Sequence, residues 1–221
     1  MAPPFWPTEF VRNVATTEVN KLLKYSVELV FATNNAHKLN EVRAIAGARF
    51  SIISLKELEC YDEIPETGIT LVENALQKAK YIHDKFHCNC FADDTGLEIE
   101  ALNGRPGVYS ARYAGEHCSF RDNIQKVLHE MQGVANRKAC FKTVIALILN
   151  EVNYFFEGKI DGEIIENEKG TNGFGYDPVF KPLGYDKTFA EMTDAEKNSI
   201  SHRALATKKL NDFLQTCPLL K

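Results

Sequence analysis

Apolar and polar positions divide the chain, from residue 26 onward, into an interleaved series of strands and helices. Residues 26–33 form an apolar run that reads as a strand. It feeds a segment in which Leu39, Val42, Ile45 and Ala46 recur at helical spacing, with Gly47 as a natural stop. Residues 50–55 read as a second strand, and residues 59–69 as a loop. Thr70 and Glu73 then form a T-x-x-E capping box ahead of an apolar stripe of Val72, Ala75, Leu76, Ala79, Ile82, His83 and Phe86. Residues 90–95 and 97–102 read as two successive strands, followed by a long loop over 103–115. Ser119 caps a helix whose stripe is Phe120, Ile124, Val127, Leu128 and Met131. Residues 139–150 and 152–165 read as two long strands, antiparallel and joined near Asn150 and Glu151. A glycine-rich loop over 166–188 leads to a last helix from about Ser199 to Thr216, with Ala206, Leu210, Phe213 and Leu214 inward. The mixture of βα and ββ connections predicts an α/β protein with mixed α+β character, not a purely parallel doubly wound sheet.

Composition narrows the class. The chain has 221 residues, of which 44% are hydrophobic and 25% charged, enough for one large domain or two lobes. A net charge of −4 and a pI near 5.9 argue against a nucleic-acid coat protein. No run of eighteen apolar residues predicts a membrane span. The six cysteines (Cys60, Cys88, Cys90, Cys118, Cys140 and Cys217) contain no CxxC pair and read as reduced cytosolic thiols. His83, His87, Cys88 and Cys90 have metal-capable side chains, but no second half matches them and His83 falls on an apolar stripe. Residues 1–24 are proline-rich at the start and lack the basic-then-apolar order of a secretory signal, while Glu9 and Glu18 argue against a transit peptide. They are expected to form a disordered or loosely docked extension, and residues 25–221 a single two-lobed domain.

Four stretches can carry chemistry. Thr33, Asn34 and Asn35 end the first strand, and Lys38 stands in the first turn of the following helix. Free N–H groups at a helix start favour an anion, while a lysine there opposes the helix dipole. Lys38 either reaches a bound phosphate or is a solvated residue behind an Asn cap. The stretch from Gly170 to Asp177 gathers glycines with Phe174 and Tyr176, suited to close backbone approach and ring stacking, or alternatively to a packed turn. Lys197, His202 and Arg203 cluster around the start of the last helix, where anionic or carbonyl-rich ligands would find donors. Glu66, Asp93 and Asp94 supply carboxylates. Hard cations such as Mg²⁺ take oxygen ligands of this kind, and a carboxylate can also accept a proton from an attacking water. Adjacent strand residues point to opposite faces, so Asp93 and Asp94 are not a facing dyad.

Taken together and in order, residues 31–42, 64–79, 91–115, 171–180 and 188–206 resemble the inosine triphosphate pyrophosphatase family. The resemblance implies Mg²⁺-dependent hydrolysis of ITP, dITP and XTP to the monophosphate and pyrophosphate. It also implies an elongated, twisted mixed sheet flanked by helices, a cleft between two lobes, a cytoplasmic homodimer, and no nucleic-acid or membrane partner. Carried over by motif, Thr33, Asn34, Asn35, Ala36, His37 and Lys38 would hold the phosphates. Asp94 would be the general base and a Mg²⁺ ligand, with Glu66 assisting the metal. Thr95 would contact substrate. Phe174, Gly175, Tyr176 and Asp177 would contact the base, Lys197 phosphate or base, and His202 and Arg203 the base. Asp93 is expected to point away from the metal, so that Asp94→Asn costs far more turnover than Asp93→Asn. The extension before the first strand departs from the family pattern. The rivals are a pyrophosphatase of the Maf type with another base preference, a nucleotide sensor without turnover, and a zinc-binding module.

Overall fold

The computed structural model describes residues 27–46 and 50–217. The expected N-terminal extension and the Gly47 stop lie outside these residues. Seven strands form one mixed sheet in the order β2-β1-β3-β5-β6-β7, with β4 paired to the far side of β3. β1 (Val27–Phe31) runs parallel to β2 (Phe50–Ser54) and to β3 (Cys90–Ile99). From β3 onward the sheet is antiparallel, through β5 (Lys138–Leu149), β6 (Val152–Ile164) and β7 (Phe180–Pro182), as is the short β4 (Pro106–Gly107). The mixed sheet expected from the connections is present. Its helices are α1 (Ala36–Ile45), α2 (Leu71–Phe86), α3 (Phe120–Glu130), α4 (Asp194–Ile200) and α5 (His202–Thr216).

Several local signals act as the sequence suggests. The capping box of Thr70 with Glu73 forms at α2, and Ser119 caps α3, where Asp122 completes a second box. β5 and β6 meet at Asn150 and Glu151, with φ of +49° and +67°. A two-residue turn with both φ positive has the twist that a hairpin needs.

Three apolar clusters share the sheet. At the β1–β2 end, Leu29, Phe31, Phe91, Ile145 and Leu147 pack with Leu210 and Leu214 of α5 on one face. On the other face Val30, Ala32, Ala92, Val144 and Ala146 pack with Ala75, Ala79 and Ile82 of α2. At the opposite end Leu97, Ile99, Phe141 and Phe180 pack with Ile124 and Val127 of α3. β3 and β5 run through both ends, so the middle of β3 lies between two differently packed halves. Phe91 belongs to one end and Leu97 to the other, and residues 93–95 stand between them.

Three expectations change. The two strands expected over 90–102 are one ten-residue strand, β3, paired without interruption from Cys90↔Ile148 to Ile99↔Ala139. Gly96 does not break it: a Cβ there would lie 2.7 Å from the Gly107 carbonyl oxygen, so glycine admits the β4 crossing. The last helix is present but starts at His202 rather than about Ser199, because Ser201 is extended and its hydroxyl accepts from Ala204 N to cap it, and a short further helix, α4, precedes it. The buried face of α2 is rotated from the apolar stripe. Val72 is 43% exposed, whereas Leu71, Asn74, Ala75, Lys78, Ala79 and Ile82 are buried. Two polar residues are therefore turned inward.

Candidate active site

The centre of β3 supplies the carboxylates. Asp93 and Asp94 are paired in unbroken register with Ile145 and Val144, so their side chains leave opposite faces of the sheet. Asp93 is 1% exposed and is held by two cations. Lys38 Nζ donates to its Oδ1 at 3.0 Å, and Arg203 Nε to its Oδ2 at 3.1 Å. Burial works against its charge, yet Lys38, Arg203 and Lys78 together hold the carboxyl below the usual range. Asp94 is 6% exposed and faces α2. Asn74 Nδ2 donates to its Oδ2 at 3.1 Å, and Lys78 Nζ lies 3.6 Å from its Oδ1. Burial dominates here and raises the pKa of Asp94 despite Lys78 and Lys38. One sequence dipeptide thus yields an acid locked as an anion and a neighbour poised to accept a proton.

The phosphate-side expectation maps onto the start of α1. Asn35 caps the helix, its Oδ1 accepting from His37 N at 3.0 Å and Lys38 N at 3.2 Å. Asn35 N donates to Thr33 Oγ1, and Asn34 Nδ2 to the Asp62 carbonyl. The Asn cap is real, but Lys38 is not a solvated residue behind it. Its ammonium turns inward to Asp93, and burial lowers its pKa against that attraction.

Across the cavity, the 166–188 loop folds onto its own acceptor. Asp177 Oδ2 accepts from Phe174 N at 2.8 Å and from Lys197 Nζ at 2.6 Å. Gly173 has φ +74°, and a Cβ there would collide with Asp177 Oδ2. Tyr176 Oη donates to the Ser110 carbonyl at 2.9 Å, tying this loop to the loop after β4. Arg203 also donates to Thr95 Oγ1 at 3.0 Å and to Glu41. His202 is buried and stacked on Phe141, with ring centroids 4.5 Å apart. Its pKa is well below the usual value because of burial, then Arg203 and Lys197.

A cavity of about 310 Å³ joins these parts. Of the residues expected at a site, Thr33, Asn34, Asn35, Lys38, Glu66, Asp94, Thr95, Phe174, Gly175, Tyr176, Asp177, Lys197, His202 and Arg203 line it. Ala36 and His37 do not. Ala36 is exposed, and the His37 ring stacks on Phe174 at 5.0 Å. Asp93 stands behind the wall, through Lys38 and Arg203.

Three site residues escaped the sequence reading. Lys78 bridges Glu66 and Asp94, and Asn74 holds Asp94. Both lie in phase with Leu71, Ala75 and Ala79 on α2, so polar residues interrupting a helical stripe were the available signal. Glu41 of α1 accepts from Lys197 Nζ at 2.7 Å and from Arg203, and no local pattern announces such distant partners.

The oxygen donors suit a hard cation. Glu66 and Asp94 approach one ammonium from two sides, so a pair of carboxylates converges at the cavity wall. Among the described residues no group of three or more His, Cys, Asp or Glu side chains could hold a metal alone. Two carboxylates completed by phosphate oxygens is the pattern by which Mg²⁺ is usually held.

The sequence profile of the Ham1 family matches residues 29–213. The chain belongs to the Ham1 family. A Porphyromonas gingivalis protein named dITP/XTP pyrophosphatase is 54% identical over 188 residues, which are 85% of this chain and 97% of that one. A Flavobacterium johnsoniae protein of the same name is 50% identical over 85% of this chain and 98% of its own. Among solved structures, a HAM1 protein from Coxiella burnetii is 39% identical, with a TM-score of 0.79 over 86% of this chain and 98% of its own. The Staphylococcus aureus Ham1 protein gives a TM-score of 0.78 at 40% identity, over 85% of this chain and 98% of its own. The matched span covers β1 to α5, and with it the whole cavity wall described above. Among the described residues, no helix is long and apolar enough to cross a membrane.

Proposed function

We propose that this Ham1-family chain hydrolyses dITP, XTP and ITP to the monophosphate and pyrophosphate with Mg²⁺, as a cytoplasmic homodimer, and so clears non-standard purines from the nucleotide pool. The observation that carries this reading is the placement of Asp94, a buried carboxyl beside Lys78 and Asn74, in a cavity also lined by Phe174, His202 and Arg203. The names of the relatives support the same reaction.

Asp94 orients a water and takes its proton as that water attacks the α-phosphorus, and pyrophosphate departs. Lys78 stays beside the carboxylate and offsets charge that gathers near Asp94. Lys38, with the Thr33 and Asn34 side chains that line the cavity beside it, receives phosphate oxygens, in positions fixed before substrate arrives. Asp94 and Glu66 would hold Mg²⁺, which supplies neutralisation of the phosphate charge when bound.

Base choice rests on Arg203. Its guanidinium has five N–H donors. Asp93, Glu41 and Thr95 engage one donor on each of its three nitrogens, which leaves one N–H on each terminal nitrogen. A 6-keto purine offers an acceptor to such a donor, whereas adenine offers a second donor and leaves it unpaired. Mismatches of this kind between buried polar groups discriminate by about 10⁴-fold or more. Phe174, half-buried on the cavity wall, offers a ring face for the base.

The test is a panel of ITP, dITP, XTP, GTP, ATP and dUTP, with Mg²⁺ and with chelator, scoring pyrophosphate against phosphate. The expected result is pyrophosphate from the first three, lost with chelator. Equal turnover of dUTP and dITP would refute the purine assignment, and nucleotide binding without pyrophosphate release would make the chain a sensor.

A further inference from the structure

Phe174 is the ring on which the proposed reading places the purine, and its loop contains Gly173 and Gly175 at φ +74° and +62°. A loop with such freedom does not by itself fix a ring. Residues that line the cavity and one that does not lie against Phe174; among the former, the Phe120 ring is tilted on it at 6.0 Å. Lys197 Nζ and the Arg203 guanidinium lie 4.9 Å and 5.6 Å from the ring centroid, and both residues line the cavity. His37 is exposed, does not line the cavity, and stacks on the same ring at 5.0 Å with 19° between planes. His37 immediately precedes Lys38, which lines the cavity and donates to Asp93 behind its wall. The start of α1 therefore sends one side chain into the phosphate side of the cavity and its neighbour outside, onto the base loop.

We propose that His37 is a positioning residue for base binding: it backs Phe174 from outside the cavity and holds the ring in place for a purine arriving from inside. This inference rests on the purine reading above. It assigns His37 a task different from the phosphate contact that its motif suggests. The stack also joins α1 to the 166–188 loop at the cavity rim. A triphosphate that settles on Lys38 then meets a base site already aligned with it, because both depend on the same helical turn. Aromatic pairs of this geometry contribute enough for about a three- to tenfold effect on binding.

The test compares wild type with His37→Ala and His37→Phe. For dITP, His37→Ala is expected to raise KM about three- to tenfold while kcat holds, and His37→Phe to restore KM. Inhibition by tripolyphosphate, which carries phosphates and no base, is expected to be the same in all three. A parallel loss of tripolyphosphate affinity would place His37 on the phosphates and overturn the proposal, as would equal KM values for the Ala and Phe variants. Hydrogen exchange of residues 171–177 in the free protein gives a readout independent of turnover. It is expected to quicken in His37→Ala and not in His37→Phe. Unchanged exchange in His37→Ala would overturn the backing role whatever the protein hydrolyses. Absence of pyrophosphate release from wild type would instead refute the proposed function and leave the exchange result to decide the stack.

Discussion

Replacing Asp93 and Asp94 one at a time by asparagine separates charge that holds the fold from charge that serves chemistry. Asp93 sits between Lys38 and Arg203 at 3.0 Å and 3.1 Å, with its side chain fully buried. An asparagine there keeps the shape but removes the anion. It also turns an amide donor toward one of two cations. Removing one partner of a buried ion pair costs about 3–5 kcal/mol, because the remaining charge is left uncompensated. That is a large share of the roughly 5–15 kcal/mol by which a domain is stable. At a urea slope of about 2 kcal/mol/M, the unfolding midpoint should fall by about 2 M.

Asp94→Asn should behave in the opposite way. Burial already disfavours the Asp94 anion, so removing its charge relieves a desolvation penalty. The asparagine still accepts from Asn74, and Lys78 keeps Glu66 as a partner. The midpoint should therefore move by the equivalent of about 1 kcal/mol or less, within the range of mild substitutions. Turnover should fall by about 10²–10⁴, the usual contribution of a positioned general base. Urea unfolding followed by tryptophan-independent circular dichroism, together with pyrophosphate release under saturating dITP, reads both effects. The reasoning fails if Asp93→Asn leaves the midpoint in place, or if Asp94→Asn retains wild-type kcat. Equal losses of turnover in two equally stable variants would also count against it, since the unbroken register of β3 puts the carboxylates on different faces.

Two further outcomes follow from the helix that carries His202 and Arg203. A Cβ at Gly158 would collide with the His202 carbonyl oxygen and lie 2.5 Å from Ala206 N, both backbone atoms of α5 that cannot rotate away. Gly158→Ala should destabilise by about 1–3 kcal/mol or more and weaken dITP turnover by displacing the helix start; an unchanged unfolding midpoint would refute the close packing. His202 is buried and its folded pKa is far below that of the unfolded chain, near 6.5, so the unfolded state binds the proton first. Its stability contribution is fully present above pH 6.5 and declines as pH falls below it, by up to about 1.4 kcal/mol per pH unit. His202→Gln should lose that share of the slope between pH 7.5 and 5.5, and identical slopes for variant and wild type would show that the imidazole is not held neutral.

Local chemistry made much of this molecule readable before its structure. The capping box at Thr70 and the cap at Ser119 need only neighbours three residues away, and the turn at Asn150 and Glu151 needs only two residues that tolerate positive φ. The opposition of Asp93 and Asp94 needs only the pleat. What stayed hidden depends on distant partners. Gly96 reads as a break in isolation, and becomes a strand residue because β4 crosses it. The short helix α4 ahead of Ser201 has too few apolar positions to show a periodicity of its own. Glu41 meets Lys197 and Arg203 more than 150 positions along the chain. Asn74 and Lys78 were visible as polar positions within a buried stripe, and taking Val72 as inward obscured them.

Electrostatic balance gives the proposed Mg²⁺ requirement a physical basis. Lys38, Lys78, Lys197 and Arg203 look like a reception site for a polyanion, yet each is already paired to a carboxylate. Their partners are Glu41, Glu66, Asp93, Asp94 and Asp177, and with Arg112, which also reaches Glu66, cations and carboxylates are equal in number. The network therefore offers directed donors without an excess of positive charge. A bare triphosphate on Lys38 would place its negative charge close to Asp94 and Glu66, which line the same cavity. A triphosphate carrying a divalent cation would reverse the sign of that encounter, because the same carboxylates would serve as its ligands. The internal pairs still serve binding. They hold the lysines and Arg203 in place while leaving N–H donors on each, so ligand contacts form without rearranging the cations. On this view Asp93 and Glu41 act as anchors for the cationic groups, and Asp94 and Glu66 are the acids left to face the substrate.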